Sequence, residues 1–155
     1  MIRRDHVSLE TRSAIMRAVK SRGGKSTERV LRATLVAAGL RGWRMHVATL
    51  PGTPDFIFPS VRLAIFIDGC FWHGCLRCYR RPATNRAYWD QKLIGNLARD
   101  RRVNRELRAR GWAVKRVWEH RLASPVTIVR EIRHRLAVLG KQTPHFARYP
   151  TRTPG

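Results

Sequence analysis

The hydrophobic positions of this chain change period several times, and each change marks a new element. Ile15, Met16 and Val19 share one face of a helix that Ser8 can cap and that runs to about Lys20. Gly23-Gly24 breaks it, and Ser26 or Thr27 opens a second helix. There Val30, Leu31, Leu35 and Ala38 recur at helical spacing, with Gly39 as a natural stop. Trp43–Val47 alternates like a strand. Leu50-Pro51-Gly52-Thr53-Pro54 is a turn leading into a short strand, Asp55–Phe58, and Pro59-Ser60 turns the chain again. Leu63–Ile67 is continuously apolar, the mark of a central strand buried on both faces. Residues 69–85 read as a loop. A long helix follows from about Arg86 to Arg110, with Tyr88, Leu93, Leu97, Val103 and Leu107 facing inward and Gly111 ending it. Trp112–Trp118 is a last strand and Val126–Leu139 a last helix. The order ααβββαβα predicts an α/β domain over residues 1–139, a mixed central β-sheet flanked by helices. Residues 140–155, rich in Pro, Thr and Arg, are expected to be a flexible basic tail.

Composition narrows the class. A chain of 155 residues suits one domain, and 43% hydrophobic residues suffice for a core. No apolar run approaches the roughly 20 residues of a membrane helix. The opening MIRRDHVSLE lacks the apolar stretch of a signal peptide, so a cytoplasmic protein is expected. Three cysteines within nine residues argue against a disulfide framework. The charge points to a partner: Lys and Arg total 32 against 10 Asp and Glu, a net +22. Residues 1–50 carry 11 basic and 3 acidic side chains, residues 51–120 carry 14 and 6, and residues 121–155 carry 7 and 1. An excess spread through the folded part predicts a polyanion partner, nucleic acid above all. Arg outnumbers Lys 27 to 5. That suits bidentate phosphate contact, although a GC-rich genome also favours Arg.

Two constellations carry candidate chemistry. Cys70, Cys75 and Cys78 form C-x4-C-x2-C, and a tetrahedral structural zinc needs a fourth ligand from His73 or His120. His120 is preferred, because a ligand distant in sequence cross-links the fold and leaves His73 free for chemistry. The acids are few, so their positions matter. Asp55 follows the rigid Pro turn at a strand start, and Asp68 ends the neighbouring apolar strand. Carboxylates on adjacent strands can share a hard ion such as Mg²⁺, which polarises a phosphodiester and activates water. Glu28 and Asp100 could reach the same place. The bland readings are a helix-capping Glu28, turn aspartates at 55 and 68, and a surface ion pair at Asp100.

At this point the residues carry a resemblance. Thr11-Arg12-Ser13 with Met16-Arg17-Ala18, Leu50-Pro51-Gly52-Thr53-Pro54-Asp55-Phe56 and Asp68-Gly69-Cys70-Phe71-Trp72-His73-Gly74-Cys75 are similar to segments of the very-short-patch (Vsr) mismatch repair endonuclease family. So are Pro82-Ala83-Thr84-Asn85, Asn96 with Arg99-Asp100-Arg101-Arg102, and Gly111-Trp112 with Val117-Trp118-Glu119-His120, in order from about residue 8 to residue 122. The resemblance implies a restriction-endonuclease-like core of the PD-(D/E)xK architecture with a zinc-stabilised loop. It implies a Mg²⁺-dependent enzyme that nicks one strand 5′ of the T in a T:G mismatch left by 5-methylcytosine deamination. That architecture's usual lysine is missing in the family, and no Lys occurs here between Lys25 and Lys92. The resemblance makes Asp55 and the backbone carbonyl of Ile67 the Mg²⁺ ligands and His73 the general base. Glu28 and Asp100 would support them, with Asp68 and Asn96 as further support. Zn²⁺ would be held by Cys70, Cys75, Cys78 and His120. Met16, Phe71 and Trp72 would intercalate beside the mismatch. The implied partners are T:G-mismatched double-stranded DNA, mismatch-repair factors and a companion cytosine-5 methyltransferase, with no membrane, the enzyme being a monomer. Outside this reading stand a non-catalytic zinc-stabilised DNA-binding or architectural protein and a same-fold nuclease of other preference.

Overall fold

The computed structural model describes residues 26–142. The expected first helix, with Met16, lies outside the described residues, as does most of the expected tail. Helix α1 covers residues 26–37 and ends in a turn at Ala38-Gly39. Strands β1 (Arg44–Met45), β2 (Phe56–Phe58) and β3 (Leu63–Asp68) follow, then helix α2 (Arg86–Ala109), strand β4 (Ala113–Trp118) and helix α3 (Pro125–Gln142). The sheet order is β1-β2-β3-β4. β1 and β2 pair antiparallel, as do β2 and β3, whereas β3 and β4 run parallel. That parallel pair needs a crossover, which α2 supplies.

The core has two halves, one on each face of the sheet. On one face Leu31 and Leu35 of α1 and Ile128 and Ile132 of α3 pack against Phe56, Phe58, Leu63, Ile65 and Val117. On the other, Val103 and Leu107 of α2 pack with Ile57, Ala64, Phe66 and Trp112. β3 feeds both halves, its odd positions to one and its even positions to the other, which is why its sequence shows no alternation.

Four details depart from the sequence expectation. The strand expected over 43–47 reduces to Arg44–Met45, because His46 turns into the left-handed region at φ +50°. Val30 is 42% exposed and lies at the edge of the buried stripe of α1. Tyr88, expected inward, is 54% exposed: the buried residues of α2, Val103 and Leu107, lie in its second half, and the Tyr88 ring packs edge-on to Trp89. α3 continues through Gly140 to Gln142.

The turn before β2 is rigid for a steric reason. Gly52 has φ +73°, and a Cβ there would come within 2.6 Å of Val103. Thr53 follows at φ +47°, an uncommon conformation for a β-branched residue, and Pro54 is fully buried behind it. Three successive residues thus fix where Asp55 leaves the turn.

Candidate active site and metal centre

The C-terminal end of β3 gathers the candidate chemistry. Asp55 enters β2 beside this end, and its Oδ2 accepts the Ile67 backbone N–H at 2.7 Å. Glu28 of α1 and His46 after β1 approach the same carboxylate. Glu28 Oε2 lies 2.9 Å from His46 Nε2, and one ligand atom from each of Glu28, His46 and Asp55 lies within 4.8 Å of the others. Burial pushes the Asp55 carboxyl up from 3.8 to about 6. The Ile67 N–H opposes that rise, Glu28 adds to it and His46 pulls against it.

One residue further along β3, Asp68 points to the α2 face and is 4% exposed. Arg116 of β4 donates to it at 2.6 Å and reaches Asp100 of α2 at 3.3 Å. The same guanidinium donates to Asn104 and lies 4.7 Å from the Phe66 ring centroid. Burial raises the Asp68 carboxyl above its ordinary range, with Arg116 and His73 opposing. His73 Nδ1 stands 2.5 Å from Asp100 Oδ2 and 3.9 Å from Asp68 Oδ1. A proton on Nδ1 satisfies Asp100 and leaves Nε2 as the lone-pair nitrogen of the ring.

The loop between β3 and α2 is drawn onto the end of β4. Cys70 Sγ and Cys75 Sγ lie 3.2 and 3.6 Å from His120 Nδ1, and Cys78 completes a group whose ligand atoms are all within 4.8 Å. Around a tetrahedral zinc the sulfur-to-nitrogen edge is about 3.6 Å, so these four donors fit that ion. His73 is engaged with Asp100 and stands outside the group. Burial pushes the Cys70 thiol up to about 12, so bringing its thiolate into the site depends on a cation or donors to offset desolvation. Glu119 Oε2 accepts the Cys70 N–H at 3.1 Å and anchors the loop from the other side.

Phe71 and Trp72 sit on this loop, half-buried and perpendicular to one another with centroids 5.2 Å apart. Trp89 of α2 joins both rings, at 5.3 and 6.2 Å, and Tyr79 and Tyr88 extend the group. Asn96 Nδ2 donates to the Trp72 carbonyl at 2.8 Å. Gly74 has φ +65°, and a Cβ there would meet Leu93 at 2.9 Å, so the loop closes tightly on α2.

The residues singled out in the sequence therefore fall into three groups: Asp55 with Glu28, His73 with Asp100 and Asp68, and the four donors of the cysteine loop. Glu28 and Asp100 do not share a site: Glu28 meets Asp55, and Asp100 meets His73. Sequence reasoning missed His46, Arg116 and Trp89. Two adjacent basic residues inside the last strand, Lys115-Arg116, were the signal for Arg116, because a charge in a core strand requires a partner.

Comparison with known proteins is decisive at this point. A family model described as "DNA mismatch endonuclease Vsr" matches residues 4–80. The chain is 42% identical over 121 residues to the "Type II nicking enzyme V.XorIIP" of Xanthomonas oryzae, covering 77% of this chain and 87% of that protein. The chain belongs to the Vsr family. It is also 42% identical over 111 residues to the "DNA mismatch endonuclease Vsr" of Escherichia coli, covering 70% of this chain and 69% of that protein. The "Type II nicking enzyme V.NmeDIP" of Neisseria meningitidis is 36% identical over 140 residues, or 89% and 93% of the two chains. The resemblance on the quoted motifs is thus a family relationship, and its mixed sheet between helices is the fold the sequence implied. Among the described residues, no helix is long and apolar enough to cross a membrane.

Proposed function

We propose that this Vsr-family DNA endonuclease nicks one strand of a duplex 5′ of the T in a T:G mismatch. The supporting observation is the juxtaposition of a carboxylate group, Asp55 with Glu28, and an oriented imidazole, His73 on Asp100, at the two sides of one strand end. Asp55 and Glu28 offer the oxygen donors that suit Mg²⁺, and the Ile67 carbonyl is a further candidate. When bound there, the ion supplies polarisation of the phosphodiester and activation of water.

The side chains do the rest. His73 accepts a proton from the attacking water at Nε2, while Asp100 holds the ring through Nδ1 and stabilises its charge. Arg116, anchored on Asp68, holds Asp100 in turn. The Cys70, Cys75, Cys78 and His120 donors would hold Zn²⁺ and clamp the loop that carries His73, Phe71 and Trp72. Those two rings, backed by Trp89, would enter the base stack beside the mismatch. A T:G wobble pair yields more readily to such a wedge than a Watson–Crick pair does. The +22 charge holds the phosphates whatever the sequence. A methyltransferase that makes 5-methylcytosine at the same sequences would be the companion whose deamination products this enzyme removes.

The test is strand cleavage of duplexes carrying T:G, T:A or C:G at one position with randomised flanks. One mapped nick 5′ of the mismatched T, dependent on Mg²⁺, is expected. Binding without cutting would favour the non-catalytic DNA-binding alternative, and equal cutting of T:A would refute the mismatch assignment.

A further inference from the structure

Resting on that reading of the acidic site, we propose that His46 is a nitrogen ligand of the catalytic cation and biases the site towards Mn²⁺ relative to an all-oxygen site. Strand register brings His46 there. Arg44 pairs with Ile57 and Met45 with Phe56, so the next residue, His46, stands opposite Asp55. Its N–H donates to the Asp55 carbonyl at 3.4 Å, which ties the two backbones together. At φ +50° the chain leaves the strand at this residue, and the imidazole comes within the 4.8 Å group of donor atoms rather than continuing the pleat. A non-glycine residue in the left-handed region is uncommon, and such conformations concentrate at working sites.

The alternative is a plain ion pair between His46 and Glu28. That pair accounts for the 2.9 Å contact but not for the presence of Asp55 as well. Two carboxylates converging on one imidazole form an arrangement that a divalent ion stabilises and a single positive charge satisfies only in part. The 2.9 Å between Glu28 Oε2 and His46 Nε2 matches an edge of an octahedral shell, about 3 Å for ligands at 2.1–2.2 Å, and no pair among the three donors exceeds 4.8 Å, against about 4.3 Å across such a shell. Half-exposed His46 can adjust to close the remainder. Mg²⁺ prefers oxygen throughout, whereas Mn²⁺ and the later first-row ions gain from imidazole. The side-chain identity at position 46 would thereby set which ion the site prefers, separately from the carboxylates that make it a cation site.

The test uses Mn²⁺ as the probe, with the full chain and one equivalent of zinc present to occupy the cysteine loop. Electron spin-echo modulation should show imidazole nitrogen coupled to bound Mn²⁺ in the wild type. His46→Asn and His46→Gly, both compatible with a left-handed backbone, should lose that coupling. Calorimetric titration should show Mn²⁺ affinity falling about 10-fold in these variants while Mg²⁺ affinity changes less than about 2-fold. Coupling that persists in both variants overturns nitrogen ligation by His46, and equal losses for the two ions overturn the bias towards Mn²⁺. Asp55→Asn separates the two levels. If it leaves Mn²⁺ binding intact, the acidic site itself is wrong and the proposal falls with it. If it abolishes binding while the His46 variants keep the coupling, only the role of His46 fails.

Discussion

Replacing Asp55 by Asn should make the cation-free protein more stable while abolishing its cutting. The carboxyl is raised from 3.8 to about 6 chiefly by burial, with Glu28 adding repulsion. The folded state therefore binds this proton more tightly than the unfolded chain, and stability is lost as pH rises from about 4 through about 6. For those two values the penalty approaches roughly 3 kcal/mol at pH 7.5 and roughly 1 kcal/mol at pH 4.5. Partial solvent access makes about 1–3 kcal/mol the working range at neutral pH. Asparagine keeps an oxygen for the Ile67 N–H and removes the charge. At about 2–4 °C per kcal/mol for a chain of this size, thermal unfolding at pH 7.5 should shift upward by about 2–12 °C. The gain should shrink at pH 4.5. Divalent ions should be removed by resin rather than by strong chelator, so that zinc bound at the cysteine loop would be retained. Adding Mg²⁺ at about 100 times its dissociation constant contributes roughly 2.7 kcal/mol to the wild type alone and should close the gap. A variant no more stable than wild type at pH 7.5, or one whose gain is independent of pH, would refute the claim that Asp55 is held there against its own electrostatic preference.

Three more outcomes are expected. Cys75→Ala should release zinc, measurable with a chromophoric chelator, and lower the unfolding temperature by several degrees, because it opens the link between the loop and the end of β4; an unchanged metal content would rule out that ligand set. Trp72→Ala should reduce the ratio of T:G to T:A cutting by about 10-fold or more, with duplex affinity at low salt little changed; an unaltered ratio would exclude the wedge. Arg116→Met should destabilise by about 3 kcal/mol in urea unfolding, since it strands Asp68 and Asp100. Asp68→Asn should recover part of that loss in the double variant, and strict additivity would show that the pair is not coupled.

The elements that were legible in the sequence are those whose burial imposes a strong period. β3 is apolar from Leu63 to Ile67 because it lies between two helical layers, and α2 and α3 carry the spacing of one-sided packing. β1 was overextended in the reading because hydrophobic alternation cannot register a backbone that turns left-handed at His46. Tyr88 was misplaced for a related reason: helical spacing says which residues share a face but not where along the helix its support ends. The cysteine group was legible because three thiols at short spacing suit a metal site better than a disulfide framework. His46 was not, because one histidine in a polar alternation carries no signal until the strand register puts it opposite Asp55.

Arg116 shows how the two halves of the charge differ in kind. Among the described residues, most of the basic side chains are exposed, where an ion pair contributes little. Arg116 is instead spent inside the fold, between Asp68 and Asp100, so its charge is neutralised before DNA arrives. That neutralisation has a consequence for His73. Asp100 offers Oδ2 to the imidazole while Arg116 engages Oδ1, so the carboxylate can neither rotate away nor swap its oxygens. The ring is thus held in one orientation before substrate binds. Orientation of this kind is what a base must have if a water lined up on a phosphodiester is to lose its proton without delay. On the proposed function, a nuclease that engages every duplex through its phosphates but cuts only at a mismatch would benefit from that division. Its abundant surface charge would find DNA, and a few paired charges, insulated from that surface by burial, would fix the geometry in which cutting occurs.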